Sequence, residues 1–393
     1  MIVILIEFIA LFSLNKKLKD KGLDYSIILF FALSLQFCIL AIYRVELLLN
    51  DRIVYYSDAE VYWENTLTLL EGKSLSGIQT GYAWYCFVIQ ITSPVRMVVL
   101  NNVSNLLLVD ITIYLIAILL QNQNNSIETI KKFITICIFN PLVVYSLLRN
   151  LKDSLFIFLA VLIIFSYIKI SRKFSVIYIA LIGLLTIFIT MVRPWGFIIS
   201  FLLLIEKLLN RKHIFRNLLI IGIVGTGLFT VVLYFGFNKI IDVWMPIVFE
   251  NGESQSFLGL IMGPFRILTG PGPYRSILGY EYFQFFTYTG NICCAIGCTL
   301  WWWELVCLSF NIGKFKFNGI SISFGIVWLF FLFIYSMQYG GSLEMRFRGV
   351  IYILTTALFL SGFQKGEYDR TATPGKIVFY FILGAIITVI SIL

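Results

Sequence analysis

MVVLNNVSNLLLVDITIYLIAILL, residues 97–120, carries a single ionisable side chain, Asp110, in an otherwise uncharged run. A helix that crosses a bilayer needs about 20 mostly apolar residues. The same texture repeats along the chain: 59% of the 393 residues are hydrophobic and only 13% are charged. A water-soluble core cannot hide so many all-apolar helices, whereas a bilayer can, because helices satisfy their own backbone groups. The expected fold is all-α: a polytopic integral membrane protein with about 12 transmembrane helices, in one transmembrane domain over residues 1–393. The spans read as 2–14, 25–43, 97–120, 133–148, 154–170, 174–192, 196–209, 217–237, 286–309, 320–338, 349–362 and 377–393. Residues 82–95 are too short and broken to cross alone and read as a membrane-dipping or interfacial segment. Residues 2–14 run into a basic cluster without a small-residue cleavage site, the pattern of an uncleaved anchor whose start faces outward.

Charge sets the orientation. One set of gaps holds 18 of the 30 lysines and arginines, including Lys16, Lys17, Lys131, Lys132, Arg211, Lys212, Lys314, Lys316, Arg370 and Lys376, against six acids. The other set is balanced. The positive-inside rule makes the first set cytoplasmic, and the net charge of +9 follows from topology with no nucleic-acid partner. The expected location is the bacterial inner (cytoplasmic) membrane. Two long loops, 44–81 and 238–285, fall on the outer side. In a chain of brief loops, long ones are where function concentrates.

Several chemistries drop out early. His213 is the only histidine and sits in a basic, cytoplasmic stretch, which excludes a Ser-His-Asp or Cys-His enzyme and a polyhistidine metal site. Cys38, Cys86, Cys137, Cys293, Cys294, Cys298 and Cys307 lie in or beside apolar runs and read as buried thiols. Acid–base chemistry must come from Asp, Glu, Lys or Tyr.

In the first outer loop, residues 58–71 have helical spacing, with Ala59, Tyr62, Trp63, Leu67 and Leu70 on one apolar face and Gly72 as the stop. This reads as an amphipathic interfacial helix. Ser57 and Glu60 have capping-box spacing, and Asp58 suits the helix dipole. The alternative is that Asp58 and Glu60 face a cavity as catalytic base or as ligands of a divalent cation. Outer-side cations recur beside Gly, Pro or Trp: Arg149 and Lys152 in 149–153, Arg193 in Arg193-Pro194-Trp195, Arg346 and Arg348 in 341–349, and Arg266 and Arg275 in the second loop. Arg149 and Asp153 have the spacing of a helical ion pair, and arginines near helix ends snorkel to headgroups. Together these cations also suit a ring around a lipid phosphate, which Arg grips bidentately and Lys as a point charge. Trp63, Trp84, Trp195 and Trp244 are either interface-belt residues or platforms for sugar rings. Asp110 is a buried acid of the kind that is often functional, or an acceptor for Asn101, Asn105 or a neighbouring helix. Glu304, near the inner interface, reads as solvated or paired.

Ser57-Asp58-Ala59-Glu60-Val61-Tyr62-Trp63 with its Leu-Leu-Glu-Gly ending, followed by Tyr82-Ala83-Trp84-Tyr85, resembles the first outer loop of GT-C glycosyltransferases. Asn140-Pro141-Leu142 through Asp153, with Arg193-Pro194, is similar to a pattern in bacterial surface-polysaccharide membrane proteins, O-antigen and capsule repeat-unit polymerases among them. The resemblance implies glycosyl transfer at the outer face from a polyprenyl-(di)phosphate-linked sugar to a glycan acceptor. Asp58 or Glu60 would be the base, and Arg149, Lys152, Arg193, Arg346 and Arg348 the donor-phosphate clamp. Arg266, Arg275, Trp63, Trp84 and Trp195 would hold the glycan, with no obligatory cofactor and a divalent cation as an option. The leading rival is a lipid-linked oligosaccharide flippase or other transporter, which would need charge through the membrane rather than at one face.

Overall fold

The computed structural model describes residues 1–54, 57–75, 80–122, 126–209, 263–265, 267–269, 288–339, 345–363 and 368–392. Among these the protein is all-helical, 84% helix with no strand. The helices are α1 (Ile2–Lys19), α2 (Ser26–Leu49), α3 (Ser57–Leu70), α4 (Gly81–Ile91), α5 (Val98–Gln121), α6 (Ile127–Ile138), α7 (Pro141–Leu148), α8 (Asp153–Arg172), α9 (Val176–Val192), α10 (Phe197–Leu209), α11 (Tyr288–Asn311), α12 (Gly319–Tyr339), α13 (Met345–Gly362) and α14 (Pro374–Ile392). The expected span 217–237 and nearly all of loop 238–285 lie outside the described residues; 263–265 and 267–269 are helical.

Among the described residues, four helices are long and apolar enough to cross a membrane: α2, α5, the stretch Asp153–Ser171 of α8, and α11 with the turn after it, Tyr288–Lys314. The pair α6–α7 makes a fifth if counted as one bent span. Expected as one straight helix over 133–148, it is broken by 55°. The cause is local. Asn140 accepts bonds from Leu142 N (2.9 Å) and Val143 N (3.3 Å), so it caps a new helix, and Pro141 occupies the first position, where its missing N–H costs nothing. Helices α9, α10, α12, α13 and α14 contribute shorter apolar segments.

The bundle is built around α5, whose apolar window is 94% buried, against 33% for α2. Helices α1, α6, α7 and α8 pack on it, while α7 is in turn held between α11 and α13. Peripheral helices turn large apolar side chains outward, among them Ile27, Phe30, Ile177 and Leu329. The axis, by contrast, holds Asn101, Asn102, Ser104, Asn105 and Asp110. Apolar outside and polar inside is the distribution a lipid solvent selects. All seven cysteines are free; six are buried, but Cys38 is exposed because α2 is peripheral, which corrects the expectation of burial for that one residue.

Bonds between connections fall into two groups. In one, Lys21 Nζ donates to Asn122 Oδ1 (3.2 Å), Tyr25 OH to Ile127 O (3.4 Å), Lys132 Nζ to Tyr368 O (2.9 Å) and Asn311 Nδ2 to Asp369 O (2.9 Å), and Arg370 pairs with Glu304. Glu304, also bonded by Tyr368 OH at 2.8 Å, is therefore paired rather than solvated. The Thr371 hydroxyl and amide, with Lys376, hold the Asp369 carboxyl well below its usual range. In the other group, Asn150 Nδ2 donates to Ala59 O (3.0 Å), Arg193 pairs with Asp153, and Thr289 N and Oγ1 donate to Glu46 (2.9 and 2.7 Å). Each contact joins segments that the charge pattern puts on the same side.

Close packing of α7 depends on glycine. A Cβ at Gly297 of α11 would stand 2.6 Å from both Asn140 Oδ1 and Leu142 N, atoms fixed by the cap. Gly313 has nothing within 4 Å. Gly297→Ala is expected to cost about 1–3 kcal/mol through overpacking, whereas Gly313→Ala leaves stability unchanged. Thermal unfolding in detergent, followed by circular dichroism, reads the difference; equal melting temperatures would refute it.

Candidate functional site

The turn between α7 and α8, Arg149-Asn150-Leu151-Lys152, is buried; Lys152 O takes the first bond of α8, from Phe156 N at 2.9 Å, while the carbonyls at the end of α7 lie past its last helical bond. Three amides on α5 reach it. Asn102 Nδ2 donates to Leu148 O at 2.9 Å, Asn105 Nδ2 to Arg149 O at 2.6 Å, and Asn101 Nδ2 to Asn150 Oδ1 at 3.1 Å. Asn150 Oδ1 also accepts from Tyr82 OH of α4 at 3.1 Å, while Asn150 Nδ2 reaches Ala59 O in the first turn of α3. One side chain thus ties α3, α4 and α5 to the turn that carries two cations.

The sequence does not announce this amide row. Of the donors it offers for Asp110 (Asn101, Asn105 or a neighbouring helix), the structure selects the neighbouring helix: Gln36 Nε2 on α2 lies 2.8 Å from Asp110 Oδ1. The available signal was three asparagines at i, i+1 and i+4 within an apolar span, where every polar side chain needs a reason.

Helix α3 begins at Ser57, as its acidic first turn suggests, and ends before Gly72, whose φ of +78° suits only glycine. Its buried stripe is Ala59, Tyr62, Thr66 and Leu69, not the expected Ala59–Tyr62–Trp63–Leu67–Leu70 face. Thr66 is admitted because its hydroxyl bonds Tyr62 O (2.7 Å), and Leu69 completes the three-and-four spacing. Trp63 and Leu67 are half-buried at the edge. Asp58 is half-buried beside Ala59, and Glu60 is exposed. The side chain of Ser57 lies outside the described residues, so its capping box does too. Among the described residues no three His, Cys, Asp or Glu side chains converge.

The cations are enclosed by protein. Arg149, Lys152, Arg193 and Arg348 are 2%, 6%, 3% and 0% exposed. Lys152 Nζ stands 5.5 Å over the Tyr62 ring of α3, and Arg149 lies 5.4 Å from the Tyr145 ring. The Asp153 carboxylate binds Arg193 across 40 positions; Arg149 is the C-cap of α7, with extended ψ of 159°, so the helical i,i+4 spacing expected of Arg149 and Asp153 does not apply there. Arg193 is walled by Phe156, Trp195, Tyr335 and Phe347, with ring centroids 5.4–5.8 Å from its guanidinium. Trp195 is part of that wall and only 4% exposed. Trp84 is exposed, edge-on to Phe87. Arg348 donates to Ile267 O at 3.4 Å, which connects α13 to the second long loop. Arg346 lies in the first turn of α13, with its side chain outside the described residues; Arg266, Arg275 and Trp244 lie outside them entirely.

Structure therefore brings the heads of α3 and α8 together directly, and joins α9 and α13 to α8 through Arg193. A buried ion pair is hard to break, because removing one partner strands the other charge. Arg193→Met and Asp153→Asn are each expected to destabilise by about 3–5 kcal/mol, and the double variant by clearly less than their sum. Denaturation of the purified protein in detergent measures this, and simple additivity would show the pair to be uncoupled. No protein-family model, curated protein or solved structure matches the chain.

Proposed function

We propose that the protein is a membrane glycosyltransferase acting at the outer face on polyprenyl-(di)phosphate-linked sugars, in the manner of enzymes that assemble bacterial surface polysaccharide. The observation that carries this reading is the Asn150 bond to Ala59 O, which sets the acidic first turn of α3 against the cationic turn between α7 and α8. In the reaction, the acceptor hydroxyl oxygen attacks the anomeric carbon, its proton passes to Asp58, and the bond to the phosphate oxygen breaks with the electron pair leaving on phosphate. Arg149 and Lys152 stabilise that developing charge. They do so from a site that excludes water, where a fixed cation acts more strongly than in solution. Phosphate is a good leaving group, so position and charge suffice for the chemistry. Glu60, exposed two residues further on, suits contact with the acceptor, and Trp63 and Trp84 offer rings for the glycan.

A second reading, a lipid-linked oligosaccharide transporter, draws on the buried Asp110–Gln36 contact within the bundle. The two readings part on mutation. Reconstituted with undecaprenyl-linked sugar and acceptor, the Asp58→Asn variant is expected to lose turnover by about 100-fold or more while its melting temperature holds, as for removal of a general base. Full turnover in that variant, with loss of lipid translocation in Asp110→Asn, would overturn the enzyme in favour of the transporter.

A further inference from the structure

Asp110 is fully buried at the centre of α5, in the helix most shielded by the bundle. It is bonded by the neutral amide of Gln36, and no lysine or arginine interacts with it among the described residues. Its second oxygen, Oδ2, has no hydrogen-bond donor there. Neither does Gln36 Oε1, an acceptor on the side chain that touches it, and the Tyr114 hydroxyl, four residues along α5, is likewise without a bond. Gln36 is 1% exposed and Tyr114 0%. An ionised carboxylate with one neutral donor and no counter-charge is costly in such a place, by several kcal/mol even after relaxation. The contrast with Glu7 is instructive. That second buried acid, on α1, takes bonds from Tyr85 OH (2.6 Å) and from Ser104 Oγ (2.6 and 2.7 Å), so both its oxygens are met.

We propose that Asp110 is a proton-binding site within the bundle, held as the neutral acid and loaded from the end of the molecule that carries Tyr25. Protonation forms one O–H bond at Oδ2 and turns an acceptor without a donor into a donor for the oxygens around it. The proton comes from water at the Tyr25 end. Tyr114, one helical turn from Asp110 on α5, is within electrostatic reach of both Asp110 and Tyr25, and Tyr25 OH in turn bonds Ile127 O at the start of α6. Gln36 from α2 and Tyr114 from α5 are the polar groups facing the acid; Glu7 approaches α5 at Ser104, roughly 9 Å away along the helix at about 1.5 Å per residue. The site stands whichever of the two functional readings holds.

Infrared difference spectroscopy of the full chain in nanodiscs at neutral pH tests it. The expected result is a protonated-carboxyl C=O band that shifts in D2O, persists in both sodium and choline buffers, and disappears in Asp110→Asn but not in Glu7→Gln. Gln36→Leu should shift the band, because it removes the amide bond to the carboxyl, and this arm decides the matter even where Asp110→Asn fails to fold. Tyr114→Phe should slow the exchange of the band into D2O severalfold. A band absent from the wild type, or lost in Glu7→Gln and unmoved by Gln36→Leu, would overturn the assignment. A band that emerges only when sodium is withdrawn would make the site one for a sodium ion instead. Unchanged exchange in Tyr114→Phe would refute the route.

Discussion

A turn between two helices leaves carbonyls that no helical bond reaches, and when the turn is buried those carbonyls must find side-chain donors. Residues 148–151 meet that condition with the amides of Asn102 and Asn105, while Asn101 holds the side chain of Asn150. Much else follows from this one requirement. The asparagines must stand on the face of α5 that looks at α7, so α5 becomes the axis. Asn150, gripped by Asn101, has its own amide nitrogen free to hold the head of α3. A net hydrogen bond contributes only about 1 kcal/mol, but each buried group left without one costs about 1–3. The row is therefore worth more as an avoided penalty than as a gain.

The same logic explains the glycines of α11 and α13. Helix α7 is a short half-span started by Asn140 and Pro141, and its neighbours approach it closely, down to the backbone at Gly297. Gly297 lies against Leu142 and Asn140, Gly290 against the Tyr145 ring, and Gly349 against Ser146. Small residues at helix contacts are how bundles in lipid gain close packing without a hydrophobic drive between helices. Here they fix the height of Arg149 and, through α13, of Arg348.

What the sequence disclosed was what hydropathy and charge report one residue at a time. Apolar runs foretold an all-helical chain, and the connections that meet fall in the same set by the lysine and arginine bias. The start of α3 at its acids and its stop at Gly72 were legible because caps are local. The break at Asn140-Pro141 was visible in the letters but was read through, since an apolar run on both sides argued for continuity. The buried stripe of α3 came out one position off, because Thr66 counts as polar until its hydroxyl is seen bonded to Tyr62 O. The asparagine row was hidden for a deeper reason. The partners of Asn102 and Asn105 are backbone carbonyls 46 and 44 positions away, and a carbonyl has no letter.

The contacts they make distinguish the cations, which the sequence treated as equals. Arg193 is neutralised by Asp153 and packed into an aromatic wall, so it serves chiefly to lock α9 onto α8. A lipid phosphate would have to compete with a carboxylate already seated there, at the cost of stranding Asp153 in a buried site. Arg348 is turned toward Ile267, in the second long loop. Arg149 and Lys152 differ from both in sharing a turn with the residue that holds α3. Any movement of that helix is felt at their backbone through Asn150, and Lys152 touches it directly at the Tyr62 ring. If a bound anion and the Asp58 carboxylate act on one substrate, these two cations are mechanically coupled to the acid, and Arg193 is the fixed frame against which they are held.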